Sequence, residues 1–367
     1  MDRRSFLATG LLWGWASTSS GQTQGADLTL TGPRALLSAA HLSGQSVKAA
    51  FDTGARISSI SESLARRIGV VGDRDLRLNT TRGELRVKTT PTVNVDIPGF
   101  PTPAGRWAII PDAMQPGADC VIGAAALDQF TLAFSRGKVF PVTSVDDGVA
   151  LDIRRAPVPI GNFRADGDPF TLVIDSGADL SWIDASVAES IIAEGGVAVL
   201  RYLTPTGPSI RAIRIPVLTC GDAQFRDVLF RVRSGGSPIS SRRVSLGGFF
   251  GLDAMRLRDW SFSGAHSRVR VSAGVGGRQT WVGLGIDFRT DGRDPGRVLG
   301  LAENGPAMRA GLRLGDRIVT LGGVRLTSTD QDAMAKVASC GCLETISAVF
   351  ERDGSISEVS VTTGVAI

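Results

Sequence analysis

The sequence predicts a mainly β protein, with two pseudo-symmetric β lobes followed by a C-terminal α+β domain. Three observations carry that expectation. A 17-residue segment recurs at an offset of 123 residues. Gly is abundant at 45 residues while aromatics are only 6%, a balance that suits turns and short strands better than long helices. From about Gly277 onward the chain changes to a different set of glycine-punctuated apolar segments. At 367 residues there is room for two or three domains.

The N-terminal element, Met1 to Ala16, reads MDRRSFLATGLLWGWA. A charged start followed by a short apolar stretch is the pattern of a secretory signal. Arg3 and Arg4 followed by Ser5-Phe6-Leu7 resemble a twin-arginine signal, the type that exports folded proteins in bacteria. Residues 1–25 are assigned to it, with cleavage expected between Ser17 and Ala26, and the mature protein is expected to be periplasmic or secreted. No apolar run approaches the ~20 residues that span a bilayer, so no integral membrane span is expected in the mature chain. Export permits disulfides. Cys120, Cys220, Cys340 and Cys342 allow two bridges or buried free thiols, and the sequence leaves both open.

Composition removes several chemistries. Forty basic residues against 36 acidic ones give a net charge of +4, too mild to argue for nucleic acid. Two histidines leave no His-ligated zinc cluster and little room for a Ser-His-Asp triad. There is no GxSxG, P-loop or CxxC motif. The remaining polar chemistry belongs to carboxylates, with neither metal nor cofactor expected.

The repeat aligns Ala49–Ala65 (AAFDTGARISSISESLA) with Leu172–Ala188 (LVIDSGADLSWIDASVA). Seven of 17 positions are identical, including Asp52/Asp175, Gly54/Gly177, Ala55/Ala178 and Ser58/Ser181. Chance would give about one. A β-hairpin is expected before each copy, over Leu36–Phe51 with a turn at Ser43-Gly44-Gln45 and over Ala156–Ile174 with a turn at Ala165–Asp168. A short helix is expected after each copy, with Ser61 and Asp184 as N-caps and Gly69 and Gly195-Gly196 as stops. Further on, two apolar residues and a glycine precede an expected strand in each half. These are Val121-Ile122-Gly123 before Ala124–Phe134, and Phe249-Phe250-Gly251 before Leu252–Phe262. The lobes are placed at 26–149 and 150–275.

In each copy an apolar strand runs directly into an aspartate, Asp52 or Asp175, which puts a carboxylate at the strand's end. The glycine two residues on lets the backbone turn there and bring N–H groups near it. An Asp-Gly turn alone only terminates a strand. Two in register, sharing Ala, Ser and Ile beyond the turn, ask for more than a turn.

This arrangement resembles the retropepsin-like branch of the aspartic peptidases, whose motif is Asp-Thr/Ser-Gly-Ala. The resemblance covers most of Ala26–Val275. It implies a pseudo-twofold fold with Asp52 and Asp175 as catalytic residues at the axis. Thr53, Gly54, Ala55, Ser176, Gly177 and Ala178 would complete the catalytic loops, with the Thr53 and Ser176 hydroxyls cross-linking them. Ser58 and Ser181 occupy a position the family often fills with Thr, and Gly123 and Gly251 belong to its second signature. The family's flaps correspond to Asn79–Lys88 and Tyr202–Ala212. Two carboxylates a few Å apart cannot both ionise cheaply, so one acts as base and the other as protonated acid on a shared water. Protein or peptide substrates follow.

After Gly277, Trp281-Val282-Gly283-Leu284-Gly285-Ile286, Asn304-Gly305-Pro306-Ala307, Ala310-Gly311-Leu312 and Leu314-Gly315-Asp316-Arg317-Ile318 resemble a PDZ domain of the bacterial protease-associated kind, over 277–367. The resemblance implies that Gly283, Leu284, Gly285 and Ile286 form the loop that binds a peptide's C-terminal carboxylate, the peptide adding as a strand. A helix over Asp330–Ala338 would line the groove. All residues expected in the chemistry precede Val275, which assigns the PDZ domain to substrate selection or regulation. The rival reading is a non-catalytic periplasmic peptide-binding protein that uses the cleft and the PDZ domain.

Overall fold

The computed structural model of the chain describes residues 28–29, 36–80, 83–97, 104–115, 117–127, 131–135, 138–141, 148–154, 158–233, 246–263, 268–273, 282–289, 294–326 and 344–365. The signal segment 1–25, Cys340, Cys342 and the Asp330–Ala338 helix lie outside the described residues. The fold is mainly β. The chain forms two compact units. Of the described residues, one unit holds those from 28 to 196 together with those from 215 to 273, and the other joins those from 197 to 214 to those from 282 to 365.

The first unit contains the repeated Asp-Thr/Ser-Gly segments. Strands Leu36–Leu42 and Gln45–Asp52 pair through a turn at Ser43 and Gly44, both at positive φ (51° and 78°), the geometry that two-residue hairpins require. Strand Ser59–Ser61 leads into helix Glu62–Arg67. The Ser61 hydroxyl caps that helix by accepting from the Leu64 N–H at 3.1 Å. Glu62 in its first turn and Arg66 and Arg67 in its last complement the helix dipole. A long hairpin, Arg74–Thr80 with Gly83–Thr89, follows. Strand Cys120–Gly123 then inserts between its predecessors, parallel to Ala49–Asp52 and antiparallel to Ser59–Ile60.

The second copy repeats these steps. Ile160–Arg164 pairs with Phe170–Ile174, and Trp182–Asp184 leads into helix Ala185–Glu194, which ends at Gly195 with φ 87°. Gly248–Phe250 inserts parallel to Leu172–Ile174 and antiparallel to Trp182–Ile183. One expectation needs correction in both halves. The residues after Gly123 and Gly251 begin not as strands but as single helical turns, Ala124–Leu127 and Leu252–Met255. Neither turn contains a β-branched residue, and both are rich in Ala, Leu and Met, which favour helix. The strands follow at Thr131–Ser135 and Trp260–Ser263.

Those two strands join the lobes. They pair antiparallel as Leu132↔Phe262, Ala133↔Ser261 and Phe134↔Trp260, inside a five-stranded sheet. Under the register that equates Gly123 with Gly251, Ala133 is the equivalent of Ser261. A residue paired with its own counterpart lies on a twofold, so the pseudo-symmetry axis passes through this pair. Phe134 and Phe262 meet edge-to-face across it at 5.3 Å. The first lobe buries Leu42, Phe51, Ile60, Leu64 and Trp107 in one cluster, while Phe163, Phe225, Phe250 and Trp260 form an aromatic core in the second. Cys120 and Cys220 are free and buried, and burial pushes both thiols up, away from the reactive thiolate.

The other unit carries the segments that resemble a PDZ domain. Arg317–Leu321, Thr345–Arg352 and Ser355–Thr362 form one antiparallel sheet. Val298–Ala302 pairs with Ile286–Phe288 in another. Leu284, Val298, Leu301, Ala307, Leu312, Ile318 and Phe350 fill the core between them. Asp316, 2% exposed, ends the Gly311–Asp316 turn; it accepts the Arg313 N–H at 2.7 Å and a two-pronged pair of bonds from Arg352. The expected flap of the second lobe, Tyr202–Ala212, falls in a hairpin of Ala198–Thr204 with Gly207–Cys220. Its Val197–Arg214 portion belongs to this unit.

Candidate active site

Asp52 ends the buried strand Gln45–Asp52, and Asp175 follows the buried strand Phe170–Ile174. Each carboxylate is first oriented by its own loop. The Ala55 N–H donates to Asp52 Oδ1 at 2.8 Å, and the Gly177 N–H donates to Asp175 Oδ1 at 2.8 Å. These are the donors that the glycine turns were expected to supply.

The loops then lock into each other. The Ser176 N–H donates to Thr53 Oγ1 at 2.9 Å, and Thr53 Oγ1 donates to the Ile174 carbonyl at 2.7 Å. Reciprocally, the Thr53 N–H donates to Ser176 Oγ at 3.0 Å and Ser176 Oγ donates to the Phe51 carbonyl at 3.1 Å. Each hydroxyl accepts one bond and donates one across the axis, using its single donor and one of its two acceptor positions. Thr53 is 3% exposed and Ser176 is fully buried, so losing either hydroxyl would strand buried backbone groups at ~1–3 kcal/mol.

The glycines show how close the two sides come. A Cβ built on Gly54 would overlap the Asp175 carboxyl group, and one on Gly177 would overlap that of Asp52. Each carboxylate therefore rests against the opposite lobe's glycine. No residue with a side chain fits either position without moving a carboxylate. Asp175 is 8% exposed and Asp52 is partly exposed, so the pair sits at the edge of the interior.

Ser58 and Ser181 act one layer further back. The Gly123 N–H donates to Ser58 Oγ at 3.1 Å, and the Gly251 N–H donates to Ser181 Oγ at 3.0 Å. A Cβ on Gly123 would meet the Ala55 carbonyl oxygen at 2.7 Å, and one on Gly251 the Leu180 carbonyl carbon at 2.8 Å. These glycines let the inserted strand run against the Asp-Thr/Ser-Gly loop. Ala55 and Ala178 accept through their carbonyls from the Ala124 and Leu252 N–H groups at 2.7 and 2.8 Å. The proposed carboxylate loop, Gly283, Leu284, Gly285 and Ile286, lies in the other unit. Its Gly283 pairs with Gly364, its Leu284 and Gly285 carbonyls accept from Ala307 and Ala302, and Ile286 opens the strand that pairs with Leu301.

One site residue escaped the sequence reading. Asp253 is half-buried beside the second loop, and its Oδ1 accepts from the Ser181 N–H at 2.8 Å, the Ser181 hydroxyl at 2.7 Å and the Ala254 N–H at 2.8 Å. The first lobe has Ala125 at this position. Setting Gly123-Ala124-Ala125 against Gly251-Leu252-Asp253 would have revealed the asymmetry. Burial raises the Asp253 carboxyl to about 6, against hydrogen bonds from Ser181 and Ala254 and the Arg231 charge, which pull it down. A folded-state value above the unfolded one means stability that is full below about pH 4 and lost as pH rises through about 6. Asp253→Asn is expected to flatten that part of the profile. Urea midpoints at pH 4, 5, 6 and 7 should converge with, or overtake, those of the parent protein as pH rises; a parallel offset at every pH would contradict it.

Among the described residues, no group of three or more His, Cys, Asp or Glu side chains is placed to hold a metal ion, and no helix is long and apolar enough to cross a membrane. Comparison with known families gives two matches. Residues 38–129 match the model for the gag-polyprotein putative aspartyl protease, and residues 297–339 match the model for the PDZ domain. Among curated proteins no relative matches the chain. The first match covers the lobe of Asp52, and the second lobe is tied to it by the repeat and by the reciprocal geometry of Asp175. The chain thus carries a segment similar to a gag-polyprotein-type aspartyl protease over 38–129 and one similar to a PDZ domain over 297–339.

Proposed function

We propose that the protein is an exported aspartic endopeptidase. Asp52 and Asp175 activate one water between them, and the PDZ domain selects or presents substrates. The observation that carries this reading is the crossed placement of the two carboxylates, each against the other lobe's glycine, with the Thr53 and Ser176 hydroxyls bonding the loops together.

The chemistry follows from that placement. Two carboxylates brought together share one proton at moderate pH, which gives one base and one acid. The ionised carboxylate takes a proton from the water as its oxygen bonds to the peptide carbonyl carbon. The protonated carboxylate gives its proton to the carbonyl oxygen. The tetrahedral diol collapses when the leaving nitrogen receives a proton from one carboxyl group and a diol hydroxyl returns its proton to the other carboxylate, which breaks the C–N bond, forms the product's carboxyl group and restores the shared proton. The rigid cross-link keeps both groups in place through the cycle, so little reorganisation is needed as charge shifts.

The proposed domain order is signal 1–25, lobes 26–149 and 150–275, and PDZ domain 277–367. A peptide C-terminus would dock at Gly283, Leu284, Gly285 and Ile286. Digestion of a mixed peptide library by the full mature chain across pH 3–8 tests the activity. Internal cleavages that vanish in Asp52→Asn support it, and a library left intact at every pH refutes it. Export has its own test. Arg3→Lys with Arg4→Lys should leave the precursor in the cytoplasm of an expressing bacterium, and unchanged periplasmic recovery would refute the twin-arginine assignment.

A further inference from the structure

Each aspartate loop is stitched to the segment inserted beside it. In the first lobe the Ala124 and Ala125 N–H groups donate to the Ala55 and Arg56 carbonyls at 2.7 and 3.2 Å, and the Gly123 N–H donates to Ser58 Oγ at 3.1 Å. In the second lobe the Leu252 and Asp253 N–H groups donate to the Ala178 and Asp179 carbonyls at 2.8 and 3.1 Å, and the Gly251 N–H donates to Ser181 Oγ at 3.0 Å. These stitches correspond one for one across the lobes. The difference is a single side chain, Ala125 in the first lobe and Asp253 in the second. A methyl group accepts no hydrogen bond, whereas Asp253 Oδ1 takes both donors of Ser181, the N–H at 2.8 Å and the hydroxyl at 2.7 Å.

With its proton turned to Asp253, the Ser181 hydroxyl offers a lone pair to the Gly251 N–H, so Asp253 fixes which way that hydroxyl works. Ser181 is buried, and its two donors depend on this one oxygen. The Ala254 N–H donates to the same oxygen at 2.8 Å and holds the carboxyl group against the helical turn Leu252–Met255. Asp253 therefore grips the second loop twice, through its backbone at Asp179 and through its side chain at Ser181. Between that grip and Asp175 lies Gly177, whose N–H orients Asp175 Oδ1.

We propose that Asp253 is a positioning residue for Asp175: by taking both donors of Ser181 it fixes the far end of the Asp175–Ser181 loop, a restraint that Ala125 cannot give the loop of Asp52. The inference rests on the peptidase reading above. It makes the two halves of the dyad unequal in how they are held. Loss of the grip lets the loop shift at Gly177. Asp175 then loses its orienting donor, while Asp52 keeps its own from Ala55 and loses only a neighbouring surface. The defect belongs in kcat, because the displaced group reacts with the substrate instead of binding it. The grip needs an acceptor oxygen at Oδ1, which an amide also supplies.

The full mature chain supplies both the test and its control. Asp253→Ala is expected to lower kcat for a peptide substrate by ~10-fold while KM stays within ~2-fold of the parent value. Asp253→Asn keeps the acceptor and should recover most of that loss. Which aspartate is displaced is read from the binding of a peptide whose scissile amide is replaced by a secondary alcohol, in chains that retain one aspartate. In an Asp52→Asn background, where Asp175 remains, Asp253→Ala should weaken binding by ~5-fold or more. In an Asp175→Asn background, the same change should weaken it by less than ~2-fold. A general loosening of the fold would weaken both alike, so equal losses overturn the proposal. An unchanged kcat in Asp253→Ala, or an Asp253→Asn chain as impaired as Asp253→Ala, also overturns it. Ser181→Ala removes the hydroxyl from the same contact and carries the same comparison if Asp253→Ala does not fold. A parent protein that cleaves no peptide would overturn the peptidase reading itself, and this appears in the control before any variant is compared.

Discussion

Asp52→Asn and Asp175→Asn are each expected to reduce peptide hydrolysis by ~10³-fold or more while leaving the fold intact. The carboxamide keeps the shape of the carboxylate and an oxygen that can still accept from Ala55 or Gly177, so the loop turns survive. What disappears is the shared proton. An amide cannot serve as the base, and the remaining carboxylate can no longer divide the acid and base roles with a partner. Because the two residues act as a unit, the double variant should be scarcely worse than either single one. Steady-state kinetics on the three variants, with thermal unfolding to confirm the fold, checks this. Appreciable turnover by either single variant would remove that residue from the mechanism.

The second large effect is expected from the glycines, and it crosses between lobes. Gly54→Ala should displace Asp175, while Gly177→Ala should displace Asp52, since each new methyl group occupies the opposite carboxylate's position. Overpacking of this kind costs ~1–3 kcal/mol in stability. The kinetic loss should be larger, on the order of 10²-fold, because misplacing a catalytic group by about 1 Å is enough for that. The crossed connection gives a distinctive signature. In an Asp175→Asn background, adding Gly54→Ala should lower activity little further. Full additivity of the two losses would mean that Gly54 acts on something other than Asp175.

The repeat made much of this site legible in advance. Asp52 and Asp175 stand out because a carboxylate, a glycine and a small hydroxyl recur in register, and the structure brings both loops together through Thr53 and Ser176. The first hairpin turn and the Ser61 cap could be read because they depend on local chemistry: two positive-φ residues at Ser43-Gly44 and a hydroxyl at Ser61, whereas Asp184 takes the N-cap position of the second helix without a side-chain capping bond. The helical turns after Gly123 and Gly251 were missed because four residues carry too little periodicity to separate helix from strand. Asp253 was missed for a different reason. Its role is set by hydrogen bonds from Ser181, a contact between residues far apart in the chain, and only a comparison of the lobes hints at it. The pairing of Ala198–Thr204 with Val298–Ala302 is likewise non-local. A strand's edge does not announce its partner in the sequence.

The central claim is that Asp52 and Asp175 converge on a single reacting group. A peptide whose scissile amide is replaced by a secondary alcohol places one hydroxyl where the attacking water and the tetrahedral oxygen would sit. Such a mimic binds more tightly than substrate when the site is complementary to the transition state. Calorimetric titration of the full mature chain, using the alcohol analogue of a peptide it cleaves, is expected to give one molecule bound per chain. Affinity should fall by ~10²-fold or more in Asp52→Asn and in Asp175→Asn alike. Binding that depends on one aspartate and is indifferent to the other would contradict the account.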